Sequence, residues 1–237
     1  MEQHAMMSSL PEQFHALVLG ASGAIGAAFV DLLGAMPRCA SVRGLHRHST
    51  PRLDFADENS IAEAARELAT KPPYHLIINA AGMLHDGNLM PEKRLADLSY
   101  LQMQAIFQTN TMGPALLMRH FLPLLDGERA IMAMLSAKVG SIGDNQLGGW
   151  YSYRASKAAL NMLVKTAAIE LARTQKHSVL VALHPGTVNS RLSRPFRGEL
   201  IGRPAHDAAS DMLSALNTLK PSDSGTFIAY DGTRLPW

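Results

Sequence analysis

Tyr153 and Lys157 are four residues apart in the segment WYSYRASKAALNML, and this spacing suits proton chemistry. In a helix, residues at this spacing lie on one face, about one turn apart. A phenol has a pKa near ~10, but a neighbouring ammonium stabilises the phenolate and lowers that pKa. Such a pair can give a proton to a carbonyl oxygen or remove one from an alcohol. Because the pattern alone is common, this interpretation needs support from the rest of the sequence.

Three glycines in LGASGAIGAA follow the first predicted strand and open the first predicted helix. Glycine permits positive φ and close backbone approach, and the N–H groups of a helix N-terminus can bind a pyrophosphate. The motif is weak alone, but its place at the first strand-to-helix turn favours a dinucleotide site. The candidate cofactor-binding residues of this loop are Gly20, Ser22, Gly23, Ala24, Ile25 and Gly26.

The end of the second predicted strand, VRGLHRHS, contains basic residues and no Asp or Glu. A site for NAD commonly has an acidic residue here to hold the ribose hydroxyls, whereas a guanidinium can bind a 2′-phosphate. The sequence therefore predicts NADP(H) in preference to NAD(H). Arg47 is the favoured contact, with Arg43 or His46 as substitutes. The alternative is that these are solvated surface charges.

Short apolar strands alternate with helices along the whole chain. This alternation predicts an α/β fold with a doubly wound parallel sheet (Rossmann fold), about seven strands flanked by helices. We expect a single domain over residues 1–237, with residues 1–13 as a flexible N-terminal extension. Strands are predicted at 15–20, 41–45, 74–78, 129–136, 178–184 and 226–230. Helices are predicted at 60–69, 98–125, 152–174 and 205–219.

The bulk composition excludes several classes of protein. Of the 237 residues, 47% are hydrophobic and 18% are charged, a globular balance, and the net charge of +2 argues against nucleic-acid binding. No apolar run approaches the ~20 residues of a membrane span, and the start does not resemble a secretory signal. Cys39 is the single cysteine, so a reducing, cytoplasmic setting is expected. No ligand-like histidine spacing supports a metal site or metal-dependent hydrolysis.

Five motifs in order resemble the short-chain dehydrogenases/reductases. They are LGASGAIG, NAAG at 79–82, LSAKVGS, YSYRASK and HPGTVNS. The ending GTFIAYDGTRLPW and the stretch VGSIGDNQLGGWYSYRASKAALN are most similar to the branch of C-factor cell-signalling proteins and related carbonyl reductases. The resemblance runs from about residue 16 to the C-terminus.

The resemblance implies roles for individual residues. Tyr153 is the acid/base, and Lys157 lowers its pKa and binds the nicotinamide ribose. Asn110 holds a water in the proton relay, unless it only kinks the helix. Asn79 passes close to the cofactor and supports the sheet, and Asp54 lies near the adenine unless it only forms a turn. Further cofactor contacts are implied for Ala80, Gly82, Pro185, Gly186, Val188 and Ser190.

This chain departs from the family pattern at the catalytic serine. The family strand often ends in two serines, and the second usually hydrogen-bonds the substrate carbonyl. Here Ser136 takes the first place and Ala137 the second. Ser136 is favoured to supply the hydroxyl after a local shift, with Ser141 as the alternative. In the glycine motif, Leu19 replaces a threonine and Ala24 a glycine.

The substrate is expected to be a small ketone, aldehyde or quinone-like carbonyl, or the corresponding alcohol. Trp150, Met83, Leu84 and His85 are candidates to line its pocket. The resemblance also implies a homodimer or homotetramer, in which the two long helices pack against a second subunit. Four arginines of the loop before residue 205 either contact an acidic substrate or, as favoured, are surface or interface charges: Arg191, Arg194, Arg197 and Arg203.

The leading hypothesis is thus an NADP(H)-dependent carbonyl reductase. The alternative is a dinucleotide-binding regulatory or cell-signalling protein with weak catalysis, suggested by Ala137 and the resemblance to C-factor.

Overall fold

The computed structural model describes residues 7–237 and contains one parallel sheet of six strands. The order across the sheet is β2-β1-β3-β4-β5-β6, so the chain winds outward in both directions from β1 and β3, as predicted. The strands are β1 (Phe14–Leu19), β2 (Cys39–Leu45), β3 (Leu76–Asn79), β4 (Ile131–Leu135), β5 (Val179–His184) and β6 (Phe227–Ala229).

Helices cover both faces of the sheet. They are α1 (Ala24–Gly34), α2 (Glu58–Leu68), α3 (Tyr100–Phe107), α4 (Gly113–Phe121), α5 (Tyr151–Thr174), α6 (Gly198–Ile201) and α7 (Ala205–Asn217). One core cluster joins α1 and α7 to one face, and the other joins α2, α4 and α5 to the opposite face. Neighbouring residues such as Leu17 and Val18 belong to different clusters, because successive strand side chains alternate between the faces. This explains why the central strands are apolar throughout.

The sheet has six strands among the described residues, where about seven were predicted. The segment after β6 turns back and forms only an isolated antiparallel bridge between Ile228 and Arg234. Two further backbone hydrogen bonds, Ala229 N–H to Thr233 O and Leu235 N–H to Phe227 O, hold it in place. This pairing is too short to be a strand.

Residues 7–13 are not the flexible extension that the sequence suggested. Met7 and Leu10 are buried in the same cluster as Phe14, and the backbone N–H of Ser9 donates to the Asn217 side chain at 2.8 Å. Burial of these two apolar side chains fixes the segment against the domain. The rest of the predicted extension, residues 1–6, lies outside the described residues.

The predicted helix over 98–125 is one helical path with an irregular centre. Residues Gln108–Met112 form a π-helical turn between α3 and α4, and the N–H of Gly113 donates to the carbonyl of Gln108 five residues earlier. Such turns are frequent at functional sites because they redirect side chains. Asn110 lies at the centre of this turn.

Within residues 7–237, no helix has the length and apolarity needed to cross a membrane.

Gly26 gives a direct test of how tightly α1 packs on the glycine loop. A Cβ at this position would lie 2.3 Å from the carbonyl oxygen of Gly20, which is backbone and cannot swing aside. Gly26→Ala should therefore lower the free energy of unfolding by about 1–3 kcal/mol, although alanine is the better helix former. Urea denaturation of the ligand-free protein measures this change.

Gly127→Ala is the matched control, because a Cβ there meets nothing within 4 Å. Equal stability of the two variants would contradict the tight packing at Gly26.

Candidate active site

The glycine loop brings two backbones unusually close together. Gly20 has a φ of +83°, and a Cβ on it would lie 2.7 Å from the backbone nitrogen of Ala81. Glycine is required here both for its positive φ and for the lack of a side chain. The loop after β1 and the loop after β3 therefore meet at the carboxyl edge of the sheet, where α/β sheets bind ligands.

The N-terminus of α1 leaves backbone donors free for a ligand. Gly23 is its N-cap, and no described side chain caps the helix. The first N–H groups of a helix have no intrahelical partner, and the helix dipole favours an anion beside them. The predicted loop residues Ser22, Ala24 and Ile25 thus surround a donor set that suits a pyrophosphate.

Arg47 lies beside this loop. The N–H groups of Gly20 and Ala21 both donate to the carbonyl of Leu45, so the end of β2 is fixed against the glycine loop. Arg47 follows in an exposed turn, next to His46. Arg43 is placed differently, because it lines a separate groove with Tyr74 and Lys71. Of the two arginines, only Arg47 lies at the edge where the sequence predicts a 2′-phosphate.

Two more predicted cofactor residues lie at this edge. Asn79 ends β3, is fully buried and accepts a hydrogen bond from Ala81 N–H at 3.2 Å, while its Nδ2 has no partner among the described residues. A buried amide without a partner is costly and fits a site completed by a ligand. Ala80 N–H donates to Leu19 O, which joins β3 to β1. The residues present therefore fit a dinucleotide.

Asp54 has the local contacts of a turn residue. Its carboxylate accepts a hydrogen bond from Ala56 N–H at 3.0 Å and pairs with Arg52 at 2.6 Å. Its backbone N–H donates to the hydroxyl of Ser60, near the start of α2. The turn-forming role that the sequence left open is thus present, and an adenine contact remains a prediction.

Tyr153 and Lys157 lie on the buried face of α5. The side chain of Lys157 is 3% exposed, and its ammonium donates to the carbonyl of Leu135 at the end of β4 at 2.9 Å. This nitrogen lies 6.0 Å from the centre of the Tyr153 ring. A Cβ on Gly82 would lie 3.6 Å from the same nitrogen. The predicted pair is therefore brought together next to the loop that touches the glycine turn.

Burial dominates the ionisation of both groups in the ligand-free protein. It raises the pKa of Tyr153 to about 12 and lowers the pKa of Lys157 to about 8, because each charged form loses hydration. The expected lowering of the phenol pKa by the ammonium is therefore absent in this state. The ammonium donates to a carbonyl and lies 6.0 Å from the ring centre, so desolvation outweighs its effect.

Asn110 connects the π-helical turn between α3 and α4 to the loop after β3 and to α5. Its Nδ2 donates to Met83 O at 2.7 Å and to the Ser156 hydroxyl at 3.1 Å, and its Oδ1 accepts from Met83 N–H at 2.8 Å. The Ser156 hydroxyl in turn donates to Tyr153 O at 2.8 Å. The side chain thus holds the loop after β3 against α5, and its place in the proton relay remains a prediction.

The two candidate serines have other partners. Ser136 donates its hydroxyl to Asn161 Oδ1 at 2.6 Å, two helical turns beyond Tyr153. Ser141 lines a different pocket together with Tyr151, and its hydroxyl accepts from Asp144 N–H at 3.1 Å. A hydroxyl has one proton to donate, so Ser136 has none left for a carbonyl. Within residues 7–237, neither hydroxyl is hydrogen-bonded to Tyr153.

An apolar wall covers the tyrosine on its open side. Leu84 and Ala137 are buried in one cluster with Tyr153, and Trp150 and Phe196 pack against it. Val139 and Leu192 complete this cluster. The Trp150 ring centre lies 6.2 Å from that of Tyr153 and 5.0 Å from that of Phe196, and the His85 ring lies 5.8 Å from Phe196. Three of the predicted pocket residues, Leu84, His85 and Trp150, are therefore part of one aromatic, largely apolar wall around Tyr153.

The loop after β5 carries the remaining predicted cofactor residues. Gly186, which follows Pro185, has a φ of +74° and packs against the Tyr230 ring. Val188 is buried and bridges to Arg203, and the Ser190 hydroxyl lies 3.3 Å from that of Ser193. Their contacts with a nicotinamide stay predictions.

Two of the four loop arginines are held in ion pairs with acidic neighbours. Arg194 pairs with Glu199 at 2.6 Å, and Arg203 pairs with Asp211 and stacks 4.4 Å from the Tyr230 ring centre. These contacts agree with the favoured view that such arginines are structural or surface charges.

Glu92 is a site residue that sequence reasoning missed. It is buried, and its carboxylate accepts hydrogen bonds from the backbone N–H of Ser152 at 3.2 Å and from the Ser152 hydroxyl. Trp150, in a left-handed conformation at the N-cap of α5, donates its N–H to Glu92 O at 2.5 Å. A carboxylate at a helix N-terminus stabilises that helix. The partner is 60 residues away, so no local sequence signal indicates this cap.

Residues 7–237 contain no group of three or more His, Cys, Asp or Glu side chains that could hold a metal ion.

The fold and the site define an NAD(P)-dependent oxidoreductase of the Rossmann type. A family model described as Enoyl-(Acyl carrier protein) reductase matches residues 26–230. The chain therefore belongs to the short-chain dehydrogenase/reductase family.

Known proteins agree with this assignment. The chain is 33% identical over 187 residues to 1-hydroxy-2-glutathionyl-2-methyl-3-butene dehydrogenase of Rhodococcus sp. (strain AD45), covering 79% of each chain. It is 37% identical over 144 residues to the C-signal protein of Myxococcus xanthus, covering 60% of this chain and 83% of that one. The structure of NADPH-bound carbonyl reductase from chicken fatty liver has a TM-score of 0.81 at 27% identity, covering 96% of this chain and 100% of the other.

We expect burial of the Lys157 ammonium to lower the free energy of unfolding of the ligand-free protein. Lys157→Met removes a charge whose pKa is lowered to about 8 by burial. Since each pKa unit is worth about 1.4 kcal/mol, the free energy of unfolding of the ligand-free protein at pH 7 should rise by about 1–3 kcal/mol.

The gain should shrink as pH rises from about 8 to 10.5, because only the unfolded state of the wild type holds the lysine proton in that window. Denaturation at several pH values measures it. A destabilised variant at pH 7 would contradict the burial cost.

Proposed function

We propose that the protein is an NADP(H)-dependent reductase that interconverts a carbonyl and an alcohol, with Tyr153 as the acid/base. The single observation that carries the proposal is the continuity of the site. The backbone of Gly20 approaches that of Ala81, and the next residue, Gly82, lies beside the Lys157 ammonium. Lys157 is on the same face of α5 as Tyr153. A dinucleotide seated on the glycine loop would therefore extend toward the phenol.

The chain's own residues handle the proton. Tyr153 holds its proton firmly in the ligand-free protein, since burial raises its pKa to about 12. It can thus donate this proton to a carbonyl oxygen in the reductive direction, and in the reverse direction its phenolate form would accept the proton of an alcohol. When bound, the nicotinamide supplies or accepts the hydride and, in its oxidised form, adds positive charge near the phenol. Lys157 has three N–H donors, of which one is used by Leu135 O.

NADP(H) is the proposed coenzyme because a cation, and no carboxylate, follows the end of β2. Arg47 is exposed next to the glycine loop, where a guanidinium can bind a 2′-phosphate. The similar carbonyl reductase from chicken fatty liver is described as NADPH-bound. The Arg47 contact is our inference from this placement.

A regulatory protein with weak catalysis is the second candidate. Ala137 removes the hydroxyl that family members use, and one relative is the C-signal protein. Thermal stabilisation by NADPH, without oxidation of NADPH across a broad panel of ketones, aldehydes and quinones, would favour this candidate.

We further propose that the protein forms a homodimer or homotetramer in a reducing, cytoplasmic setting. Apolar side chains of the two long helical segments are exposed in the chain alone, although Leu160 and Leu171 of α5 are buried. The exposed ones are Tyr100, Leu101, Met103, Met112, Met162 and Ile169. Such side chains mark an interaction surface where they form a contiguous patch. Light scattering of the purified protein tests it.

Tyr153→Phe tests the proposed chemistry. Loss of the phenolic proton should lower kcat at least ~10²-fold, as is typical for a general acid, while NADPH binding stays nearly intact. Turnover is measured by NADPH oxidation with the most rapidly reduced compound of the panel, and binding by quenching of intrinsic fluorescence. Tyr100→Phe, at an exposed tyrosine, is the control. Full turnover in Tyr153→Phe would refute the assigned role.

Arg47→Ala tests the coenzyme preference. A hydrogen bond to a charged group is worth about 1.5–3 kcal/mol, so the Kd for NADPH should rise about 10–100-fold while the Kd for NADH changes little. Parallel titrations with both coenzymes measure this, and Arg173→Ala, at an exposed arginine late in α5, is the control. An equal effect on both coenzymes would show that Arg47 does not read the 2′-phosphate.

A further inference from the structure

We propose that His85 donates the hydrogen bond to the substrate oxygen that the family's serine usually supplies, and that the substrate is an uncharged aromatic or similarly apolar ketone or aldehyde. This inference rests on the proposed carbonyl chemistry at Tyr153. It assigns the polar contact with the substrate to a residue outside the five motifs that define the family resemblance.

The site lacks the serine hydroxyl that would donate a hydrogen bond to the substrate oxygen. A methyl group, from Ala137, is packed beside Tyr153. The Ser136 proton is donated to Asn161, and Ser141 lines another pocket. Loss of one preorganised donor to a developing alkoxide typically costs about 10²–10³ in kcat. The phenol of Tyr153 is one such donor, and a second would recover this factor.

The ring N–H of His85 is available to donate a hydrogen bond. Both of its ring nitrogens are shielded from solvent, and neither has a hydrogen-bond partner within residues 7–237. A neutral imidazole always carries one N–H and one free lone pair, whichever tautomer is present. Buried polar groups are nearly always paired, so an exception needs an explanation. A ligand that reaches the ring would provide the missing partner.

His85 belongs to the same aromatic wall as Tyr153. It directly follows Leu84, which is buried in one cluster with Ala137 and Tyr153. Edge-to-face ring contacts lead from His85 to Phe196 and from there to Trp150, which contacts the tyrosine ring. The histidine and the phenol are therefore connected by one aromatic wall that a substrate would touch at both ends.

The character of this wall defines the substrate class. Apart from His85 and Tyr153 it consists of apolar or aromatic side chains, contributed by Leu84, Val139, Trp150, Leu192 and Phe196. Arg194 and Arg203, in the loop that supplies Phe196, are already paired with Glu199 and Asp211. An apolar wall whose polar groups are only the His85 imidazole, the Tyr153 phenol and the Trp150 indole N–H suits a neutral carbonyl compound, because burying a free carboxylate there would be costly.

The test compares two replacements of His85. His85→Phe keeps a ring against Phe196 but removes both nitrogens, and should lower kcat/KM about 10²-fold, as loss of a preorganised donor does elsewhere. His85→Gln keeps an N–H donor and should retain clearly more activity. His206→Phe, at an exposed histidine of α7, is the control and should behave as wild type. Circular dichroism verifies that each variant is folded.

A binding measurement gives a readout that does not depend on turnover. Calorimetry with NADP⁺-loaded protein compares acetophenone with ethylbenzene, which lacks the carbonyl oxygen. The wild type should bind acetophenone more tightly than ethylbenzene, and His85→Phe should reduce this preference about tenfold, as loss of one of two hydrogen bonds allows. Equal preference in both proteins would overturn the proposal.

Reintroducing the serine distinguishes hydrogen bonding from packing. Ala137→Ser in the His85→Phe background should restore at least ~10-fold in kcat/KM, since it returns a donor beside the tyrosine. If His85→Gln is as impaired as His85→Phe and the serine restores nothing, His85 acts only by packing and the proposal is wrong. Wild-type activity in His85→Phe together with an inactive Tyr153→Phe would overturn the role of His85 alone. Full activity in Tyr153→Phe would instead overturn the proposed function.

Discussion

The structure is organised around an ammonium group kept out of water. Lys157 is buried under β4, with a backbone carbonyl as its recorded partner, and such a group costs folding free energy unless other interactions compensate. The surrounding backbone is shaped to allow this burial. Gly140 lets the turn after β4 approach the stem of Lys157, where a Cβ would lie 2.6 Å from the lysine Cβ, and Gly82 leaves space beside the nitrogen.

This arrangement leaves the ligand-free site incomplete. The phenol, the ammonium, the Asn79 amide and the His85 ring are all shielded, and the last two have nitrogens without partners among the described residues. Each of these features lowers the folding stability. The two apolar core clusters on either side of the sheet must offset this loss. A bound coenzyme and substrate would recover part of the cost, so binding and folding stability should be closely linked.

Much of the fold and of the candidate site could be predicted from the sequence because the relevant rules are local. The glycine spacing, the Tyr153–Lys157 interval and the strand-to-helix alternation each depend on geometry within a few residues. The orientation of Ser136 was not readable in this way. Ser136 and Ala137 follow β4 and both contact α5, where the Ser136 hydroxyl donates to Asn161 and the methyl of Ala137 packs beside Tyr153, and these long-range partners have no local signal in the sequence.

Contacts between distant segments were also invisible to sequence reasoning. Glu92 caps α5 across 60 residues, and Met7 and Leu10 pack in a core cluster formed by the sheet together with α1 and α7. Their residue types alone do not predict these contacts, because a glutamate or a methionine has no fixed partner. The return of the chain after β6 is a further example, since it depends on the pairing of Arg234 with Ile228.

The π-helical turn at Gln108–Met112 affects more than Asn110. An extra residue in one turn shifts the angular phase of everything that follows, so α3 and α4 present different sides of one continuous rod. The first part of the rod can thus contact α5 while the second packs in the core cluster with α2. Shortening this turn by one residue would rotate α4 relative to α3, so the contacts of α4 with α2 and with α5 would change together.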